Sequence, residues 1–169
     1  MEEIKTEANL QEAFAGESQA NRRYLFFADK AEKEGYPQAA KLFRAVAAAE
    51  TVHARNHLDA MGGTGTTREN LLAGVQGEHL EFTRMYPLFI DLAEMEKNIE
   101  AQRSFEYANA VEEIHYGYFR AALKAMDAGQ PLKEENYFVC QVCGNTVTGQ
   151  APDTCPICNS PKSRFMAVE

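Results

Sequence analysis

Residues 105–122 read FEYANAVEEIHYGYFRAA, and the pattern of this stretch points to the architecture of most of the chain. Phe105, Ala108, Glu112, His115 and Ala122 recur at intervals of three, four or seven residues, which is the spacing of one face of an α-helix. That face is apolar except for Glu112 and His115. Because an ionised carboxylate is rarely buried unless it is paired or binds a metal ion, the stretch predicts a helix with metal-binding side chains on its inner face.

Three earlier segments carry stripes of the same period, so we predict four helices and a mainly α fold. The first helix ends at Gly35, the second covers about 37–61, the third starts near Glu69 and is bent by Pro87, and the fourth covers about 98–127. The earlier stripes are Leu10, Phe14, Glu17, Asn21, Tyr24 and Ala28; Leu42, Val46, Glu50, His53 and His57; and Leu71, Gly74, Glu78, Glu81, Met85, Leu88 and Leu92. Four helices of roughly 24 residues favour a four-helix bundle.

Each stripe holds at least one glutamate, and two stripes repeat the pattern Glu-x-x-His. A spacing of three residues places both side chains on one face of a helix, where they can bind the same ion. One Glu from each of two helices, plus Glu-x-x-His from each of the other two, is the ligand pattern of di-iron carboxylate bundles. The candidate ligands are Glu17, Glu50, His53, Glu78, Glu112 and His115, with Glu81 as one further carboxylate.

The alternative for any single Glu-x-x-His is a solvated or salt-bridged pair. We give that interpretation to His57 and His79, which lack the repeated pattern. Tyr24 and Tyr86 lie on or near the stripes, either as core residues or as hydrogen-bonding groups beside the metals.

Composition changes sharply near residue 130, where Gly129-Gln130-Pro131 ends the last helix. We therefore predict a helical domain over 1–130 and a small second domain over 131–169. All four cysteines lie in the second domain, as the pairs Cys140-x-x-Cys143 and Cys155-x-x-Cys158. Paired C-x-x-C motifs in a reducing compartment predict a tetrahedral thiolate site, and the spacing leaves zinc and iron both open.

The residues around the cysteines closely resemble a rubredoxin. They are Tyr137-Phe138-Val139 before the first pair, Gly144 after it, then Gly149, Pro152, Pro156 and Phe165. The glycine and the proline let backbone N–H groups turn toward the sulfurs, and such hydrogen bonds tune reduction potential. The resemblance implies one iron held by four thiolates, acting as a one-electron carrier.

Charge and hydropathy exclude several classes of protein. The net charge of −8 argues against a nucleic-acid binder, and no apolar run approaches the ~20 residues that span a bilayer. The N-terminal residues show no secretory signal pattern, so we expect a cytoplasmic protein without membrane partners.

Taken together, the chain resembles the rubrerythrin family over essentially its whole length. The strings Phe14-Ala15-Gly16-Glu17-Ser18-Gln19-Ala20, Gly77-Glu78-His79-Leu80-Glu81 and Met85-Tyr86-Pro87 carry this resemblance in the helical part. It implies two irons in the helical domain and one in the tetracysteine site, with zinc as a substitute there. The implied activity is that of a peroxidase in oxidative-stress defence, in which electrons pass through the rubredoxin-like iron and reduce hydrogen peroxide to water.

The resemblance also implies a role for each ligand. Glu50 and Glu112 would bridge the irons, while Glu17 and Glu78 would be terminal ligands. His115 would hold the second iron, and His53 and Glu81 would exchange at the first iron with redox state. A carboxylate suits ferric iron and a neutral imidazole suits ferrous iron, which accounts for the additional carboxylate.

Two other functions remain open, namely ferroxidase or iron-storage activity and a non-enzymatic zinc-ribbon binding module. Storage would not require a one-electron module, whereas a colourless cysteine site would favour the zinc ribbon. No nicotinamide or flavin motif is visible, so the peroxidase interpretation needs a redox partner protein, either an NAD(P)H-dependent reductase or a rubredoxin.

A length argument predicts a homodimer that exchanges helices. In a ferritin-like bundle the second and third helices run parallel, and a 24-residue helix is ~36 Å long. The loop from Gly62 to Arg68 spans at most ~25 Å. Pairing the third and fourth helices with the first two of a second chain removes this shortfall. If residues 69–77 are not helical, the connection gains about 9 residues and can close within one chain.

Overall fold

The computed structural model describes residues 5–168. It contains five α-helices and three short strands within that range. The helices are α1 (Lys5–Lys33), α2 (Pro37–Ala60), α3 (Thr67–Leu80), α4 (Tyr86–Met95) and α5 (Ile99–Asp127), with a π-helical segment, Glu81–Met85, between α3 and α4. The strands are β1 (Tyr137–Cys140), β2 (Thr146–Thr148) and β3 (Phe165–Val168), and a 3₁₀ turn, Lys162–Arg164, precedes β3. The predicted class, mainly α with a small C-terminal domain that holds the four cysteines, is confirmed.

The chain divides into two compact units, one up to Gly65 and one from Thr66 onward. The first unit is the hairpin of α1 and α2. Gly35 turns the chain between them with a φ of 82°, a left-handed conformation that costs glycine little. Pro37 then begins α2, where its missing N–H removes no helical hydrogen bond.

Small residues bring α1 and α2 together. Ala28, Ala31 and Ala40 are buried and Phe43 packs against them. The Asn21 side-chain amide donates to the Ala47 carbonyl at 2.7 Å. α1 packs against the alanine side of α2, and Leu42 lies away from that contact and is 64% exposed in the single chain.

The second unit contains α3, the π segment, α4, α5 and the sheet. α3 begins with a capping box, in which Thr66 and Glu69 each accept a hydrogen bond from the other's backbone N–H. Helix therefore starts at Thr67, so the stretch 69–77 is helical and the connection after α2 is shorter than the expected seven residues, at Met61–Thr66.

The third predicted helix is divided, and the division differs from the expected bend at Pro87. The π segment inserts a wider turn, in which the Tyr86 N–H donates to the Glu81 carbonyl, and Pro87 falls in the first turn of α4. Proline is tolerated there because the first N–H groups of a helix have no partner inside it. π-Helical turns occur frequently at functional sites.

The small sheet is antiparallel, in the order β2-β1-β3. Phe138 in the central strand pairs with Val147 on one side and with Ala167 on the other. The sheet follows α5 after a segment without regular structure, residues 130–136. Within residues 5–168, no helix has the length and apolar character to cross a membrane.

Candidate metal centres

The first unit brings together Glu17, Glu50 and His53. One ligand atom from each lies within 4.8 Å of the others. His53 Nδ1 is 3.0 Å from Glu50 Oε2 and 3.9 Å from Glu17 Oε1. α2 supplies the Glu-x-x-His pair and α1 supplies Glu17, as the helical spacing predicts.

The carboxylates of this first cluster repel each other. The pKa of Glu17 is raised, chiefly by its hydrogen bond with Glu50, and further by burial and by the Glu50 charge. The nearby imidazoles of His53 and His57 act in the opposite direction. A bound cation would relieve the same repulsion, so the donor set suits a metal ion.

The second unit forms a matching cluster from Glu78, Glu112 and His115. Their ligand atoms also lie within 4.8 Å of one another. His115 Nδ1 is 2.7 Å from Glu112 Oε2 and 3.9 Å from Glu78 Oε2. α5 supplies the Glu-x-x-His pair and α3 supplies Glu78. Each unit therefore contributes two carboxylates and one imidazole.

Burial is stronger in the second cluster. Burial raises the pKa of Glu78 to about 7, and the charge of Glu112 and a hydrogen bond to Glu112 act in the same direction. The pKa of Tyr86 is raised by burial and by the charges of Glu81, Glu112 and Glu78. The Tyr86 ring packs against those of Phe89 and Phe105.

Glu81 lies beside this cluster without joining it. It is absent from the set of atoms within 4.8 Å, although burial and the charge of Glu112 raise its pKa. Glu81 lies one α-helical turn after Glu78, since its backbone N–H donates to the Gly77 and Glu78 carbonyls, and the wider π turn begins only at Glu81. The two carboxylates therefore keep the predicted α-helical spacing, and the role of Glu81 as a further ligand stays a prediction.

The four cysteines form the third cluster. Their sulfurs lie within 4.8 Å of one another, with Cys140–Cys158 and Cys143–Cys155 Sγ distances of 3.6 Å. A tetrahedral site with metal–sulfur bonds of ~2.3 Å separates its sulfurs by ~3.8 Å. All four cysteines are free, so the cluster has the geometry of a metal site rather than of two disulfides.

Hydrogen bonds to the sulfurs come from residues that the sequence did not single out. The Asn145 amide donates to Cys155 Sγ at 3.6 Å, and its side chain is 1% exposed. Burial raises the pKa of Cys143. Burial acts in the same direction on Cys158, but the Ser160 hydroxyl and backbone N–H and the neighbouring thiols outweigh it and lower the pKa of Cys158 to about 6.

The turn conformations around the cysteines agree with the expected role of Gly144. This glycine has a φ of 81° and its N–H donates to the Cys140 carbonyl at 2.9 Å. The Asn145 backbone N–H reaches Cys143, where it stabilises the thiolate. The glycine thus allows backbone N–H groups to approach the sulfurs, as the motif predicts.

The remaining candidate residues have contacts that need no metal. His79 packs against the rings of Phe82 and Tyr116 at 5.5 Å. Tyr24 packs against Phe27 and Phe43.

Both kinds of donor set fit iron. Carboxylates and imidazole bind iron in the di-iron carboxylate proteins, and four thiolates bind a single iron or zinc. The individual ligand assignments, Glu81 included, stay predictions, since they rest on the placement of donor atoms alone.

Comparisons with known proteins agree with this donor chemistry. The sequence model of the family described as Rubrerythrin matches residues 8–123, and the one described as Rubrerythrin, rubredoxin-like domain matches residues 138–166. Rubrerythrin-2 of Clostridium acetobutylicum is 33% identical over 94% of both chains. The rubrerythrin of Porphyromonas gingivalis is 38% identical over 95% of this chain and 88% of that protein.

Solved structures of nigerythrin have a similar fold. The structure described as its partially reduced state has a TM-score of 0.57 and 33% identity, covering 96% of this chain and 86% of that chain. The structure described as its mixed-valence state has a TM-score of 0.55 and 34% identity.

The helical clusters and the tetracysteine cluster define a class of non-haem iron protein, in which a di-iron carboxylate site accompanies a rubredoxin-like site. Both matched regions lie in one chain, and its relatives are covered over most of their length. The chain belongs to the rubrerythrin family. The family is oxidoreductase-like, and the rubredoxin-like domain implies electron transfer with a redox partner.

Proposed function

We propose that this protein is a peroxidase that reduces hydrogen peroxide to water in defence against oxidative stress. The observation that carries the proposal is the presence, in one chain, of carboxylate–imidazole clusters and a tetracysteine cluster. The overall reaction consumes two electrons and two protons for each peroxide and yields two waters. A one-electron carrier in the same chain is suited to supply those electrons singly.

The chain's own groups hold the metals and position protons. When bound, iron supplies the redox chemistry. In this proposal two sets of side chains would hold it, and the ligand atoms of each set lie within 4.8 Å of one another: Glu17, Glu50 and His53, and Glu78, Glu112 and His115. The Tyr86 phenol, whose pKa is raised above its ordinary value of 10, stays protonated at neutral pH and remains a hydrogen-bond donor.

Electrons have to come from another protein in this proposal. We expect the donor to be an NAD(P)H-dependent reductase or a rubredoxin, which would reduce the tetracysteine iron. The proposal places the protein in the cytoplasm, where thiols stay reduced and four free cysteines can bind a metal.

The test separates electron entry from peroxide chemistry. Iron-loaded protein is given a protein reductant and hydrogen peroxide, and peroxide consumption is followed. We expect Cys140→Ser and Cys158→Ser to abolish turnover with the protein reductant, while the chemically reduced helical site still reacts with peroxide. If the chemical reaction is lost as well, the cysteine module supports the helical site structurally and does not serve as its electron donor.

A second pair of variants tests the helical site. Glu50→Ala and Glu112→Ala each remove a carboxylate expected to be shared by both irons, so they should lose the two helical irons and all peroxidase turnover. The visible spectrum of the tetracysteine iron should remain, because its ligands lie in a separate module. Retention of two helical irons and full turnover by either variant would contradict the bridging role.

The same assay distinguishes the runner-up function, ferroxidase or iron storage. A storage protein would oxidise Fe²⁺ and accumulate the oxidised iron in excess of its site capacity. Its iron oxidation would not depend on the cysteines. A colourless protein with zinc in the tetracysteine site would favour the binding-module interpretation instead.

We also propose a homodimer in which each di-iron site combines the first cluster of one chain with the second cluster of its partner. Met61–Thr66 spans at most about 22 Å, whereas the 24 residues of α2 extend over ~36 Å. The helical hairpin also leaves Phe26 and Leu42 mostly exposed. A second copy of this chain is the partner that would cover these apolar side chains.

A further inference from the structure

The tetracysteine module contacts α5 beside the second carboxylate cluster. Thr146, the first residue of β2, places its hydroxyl oxygen 2.9 Å from His115 Nε2. The Tyr118 hydroxyl donates to the Thr146 carbonyl at 3.1 Å. Val111 lies near Gly144, where a Cβ would come within 3.9 Å of its side chain. Residues 111, 115 and 118 share one face of α5. The turn that ends at Gly144, and strand β2, therefore lie along that face.

The direction of the hydrogen bonds follows from the groups involved. Thr146 Oγ1 is also 3.2 Å from the Gly144 carbonyl oxygen, which can only accept a hydrogen bond. The single hydroxyl proton of Thr146 therefore points to Gly144. The hydroxyl oxygen is then left to accept, so Nε2 of His115 carries a proton and donates it.

This arrangement assigns the two ring nitrogens of His115 to different tasks. Nε2–H donates a hydrogen bond to the Thr146 hydroxyl. Nδ1 lies 2.7 Å from a Glu112 carboxylate oxygen and 3.9 Å from one of Glu78. A ligating histidine commonly has its second nitrogen held by another group, which fixes the tautomer and the plane of the ring. Nδ1 is thus the nitrogen available to a metal ion.

We propose that Thr146 is a positioning residue: its hydroxyl orients the His115 ring for metal binding and links the tetracysteine module to the carboxylate cluster. Two consecutive hydrogen bonds connect His115 to Thr146 and Thr146 to the carbonyl of Gly144, the residue directly after Cys143. Thr146, a residue of the small domain, thereby orients His115, a candidate metal ligand of the helical domain. The inference rests on the proposed iron site but does not depend on peroxide as its substrate.

A simple docking role is the competing explanation for the Thr146 contact. Docking has other supports, namely the Tyr118 bond to the Thr146 carbonyl and the proximity of Val111 to Gly144. Neither needs the Thr146 hydroxyl. Removing only the hydroxyl therefore separates positioning from docking.

The experiment uses full-length protein with the tetracysteine site already filled by zinc, and titrates Zn²⁺ into the helical site against a chelator. Thr146→Val keeps the side-chain shape and removes the hydroxyl, and we expect it to weaken Zn²⁺ binding about 10-fold to 100-fold. Thr146→Ser keeps the hydroxyl and should bind within about threefold of the unaltered protein.

Thr148→Val is the matched control. Thr148 lies on the same strand and hydrogen-bonds with Tyr118 and Glu135 but is not a partner of His115. Loss of the Thr148 hydroxyl should leave the Zn²⁺ affinity of the helical site unchanged. If Thr146→Val and Thr148→Val weaken binding equally, the strand acts by docking and the positioning role is wrong.

A second measurement needs no variant that might fail to fold. In the zinc-loaded, unaltered protein, the His115 Nε2–H proton should give a resolved, slowly exchanging NMR signal with a contact to the Thr146 side chain. An Nε2–H proton that exchanges freely with water would overturn the proposal, whatever the peroxidase assay gives. Failure of peroxide turnover alone would contradict only the proposed function.

Discussion

Glu78 holds its proton up to about pH 7 when the second cluster binds no metal, because burial and the neighbouring Glu112 disfavour its charge. A metal ion has to displace that proton. Below pH 7 the carboxyl is increasingly protonated and competes with the metal, and above pH 7 it is already ionised.

We therefore expect Zn²⁺ affinity at the helical site to rise with pH up to about 7 and then to flatten. The measurement is a chelator competition between pH 5.5 and 8.5, with zinc already in the tetracysteine site. Glu78→Gln should bind more weakly with a shallower pH dependence. The exposed Glu113, next to Glu112, provides a control, since Glu113→Gln should preserve the full dependence. An affinity that is independent of pH below 7 would contradict the role of Glu78.

Glu81 allows a prediction about ligands that serve turnover more than binding. It lies outside the compact cluster of Glu78, Glu112 and His115, which remains intact in a Glu81→Ala variant. We expect Fe²⁺ affinity to fall less than peroxidase turnover, measured on the same preparation by equilibrium binding and by steady-state assay. Equal losses of both would indicate that Glu81 is a permanent ligand and does not exchange with His53.

Among the secondary-structure elements, α3 depends on its N-terminal cap. Thr66 accepts a hydrogen bond from the Glu69 N–H at 3.3 Å, and Glu69 accepts one from the Thr66 N–H at 2.7 Å. Thr66→Ala should lower the free energy of unfolding by about 1 kcal/mol, a shift in Tm of roughly 2–4 °C. Thermal unfolding followed by circular dichroism measures this.

Thr67→Ala provides the comparison, because Thr67 is the first helical residue and lies outside the capping box. It should leave Tm unchanged or slightly higher, since alanine favours helix. If Thr66→Ala and Thr67→Ala lower Tm by the same amount, the capping hydrogen bonds do not stabilise α3 specifically. The cap matters to the site because α3 carries Glu78.

The whole assembly is tested by mixing two inactive chains. Glu17→Ala damages the first cluster, and Glu112→Ala damages the second. If helices are exchanged between chains, a mixed dimer has both lesions in one site and an intact second site. Refolding the two variants together should then restore part of the peroxidase activity.

The control for this mixture combines Glu17→Ala with Glu50→Ala, two lesions in the same cluster. Every site in an exchanged dimer of these variants carries one lesion, so no activity should return. A dimer without exchange would leave the first mixture inactive as well. Recovery in the first mixture together with no recovery in the second is the result that the exchange predicts.

Local patterns were sufficient to predict most of the metal chemistry. Glu50-x-x-His53 and Glu112-x-x-His115 form contacts across one helical turn, and the cysteine pairs close within single turns. The helix limits near Gly35 and Gly129 follow equally from residues a few positions away. Such features depend on backbone geometry over three to five residues, so they can be predicted without knowing the packing.

Features that depend on distant residues could not be predicted in this way. The bond between His115 and Thr146 joins positions 31 residues apart, and the exposure of Leu42 depends on which side of α2 packs against α1. The π segment widens the helical turn from Glu81 to Tyr86, although the sequence there has ordinary helical periodicity. Helical spacing places a side chain on a face, but the packing of other elements against that face determines which atoms meet there.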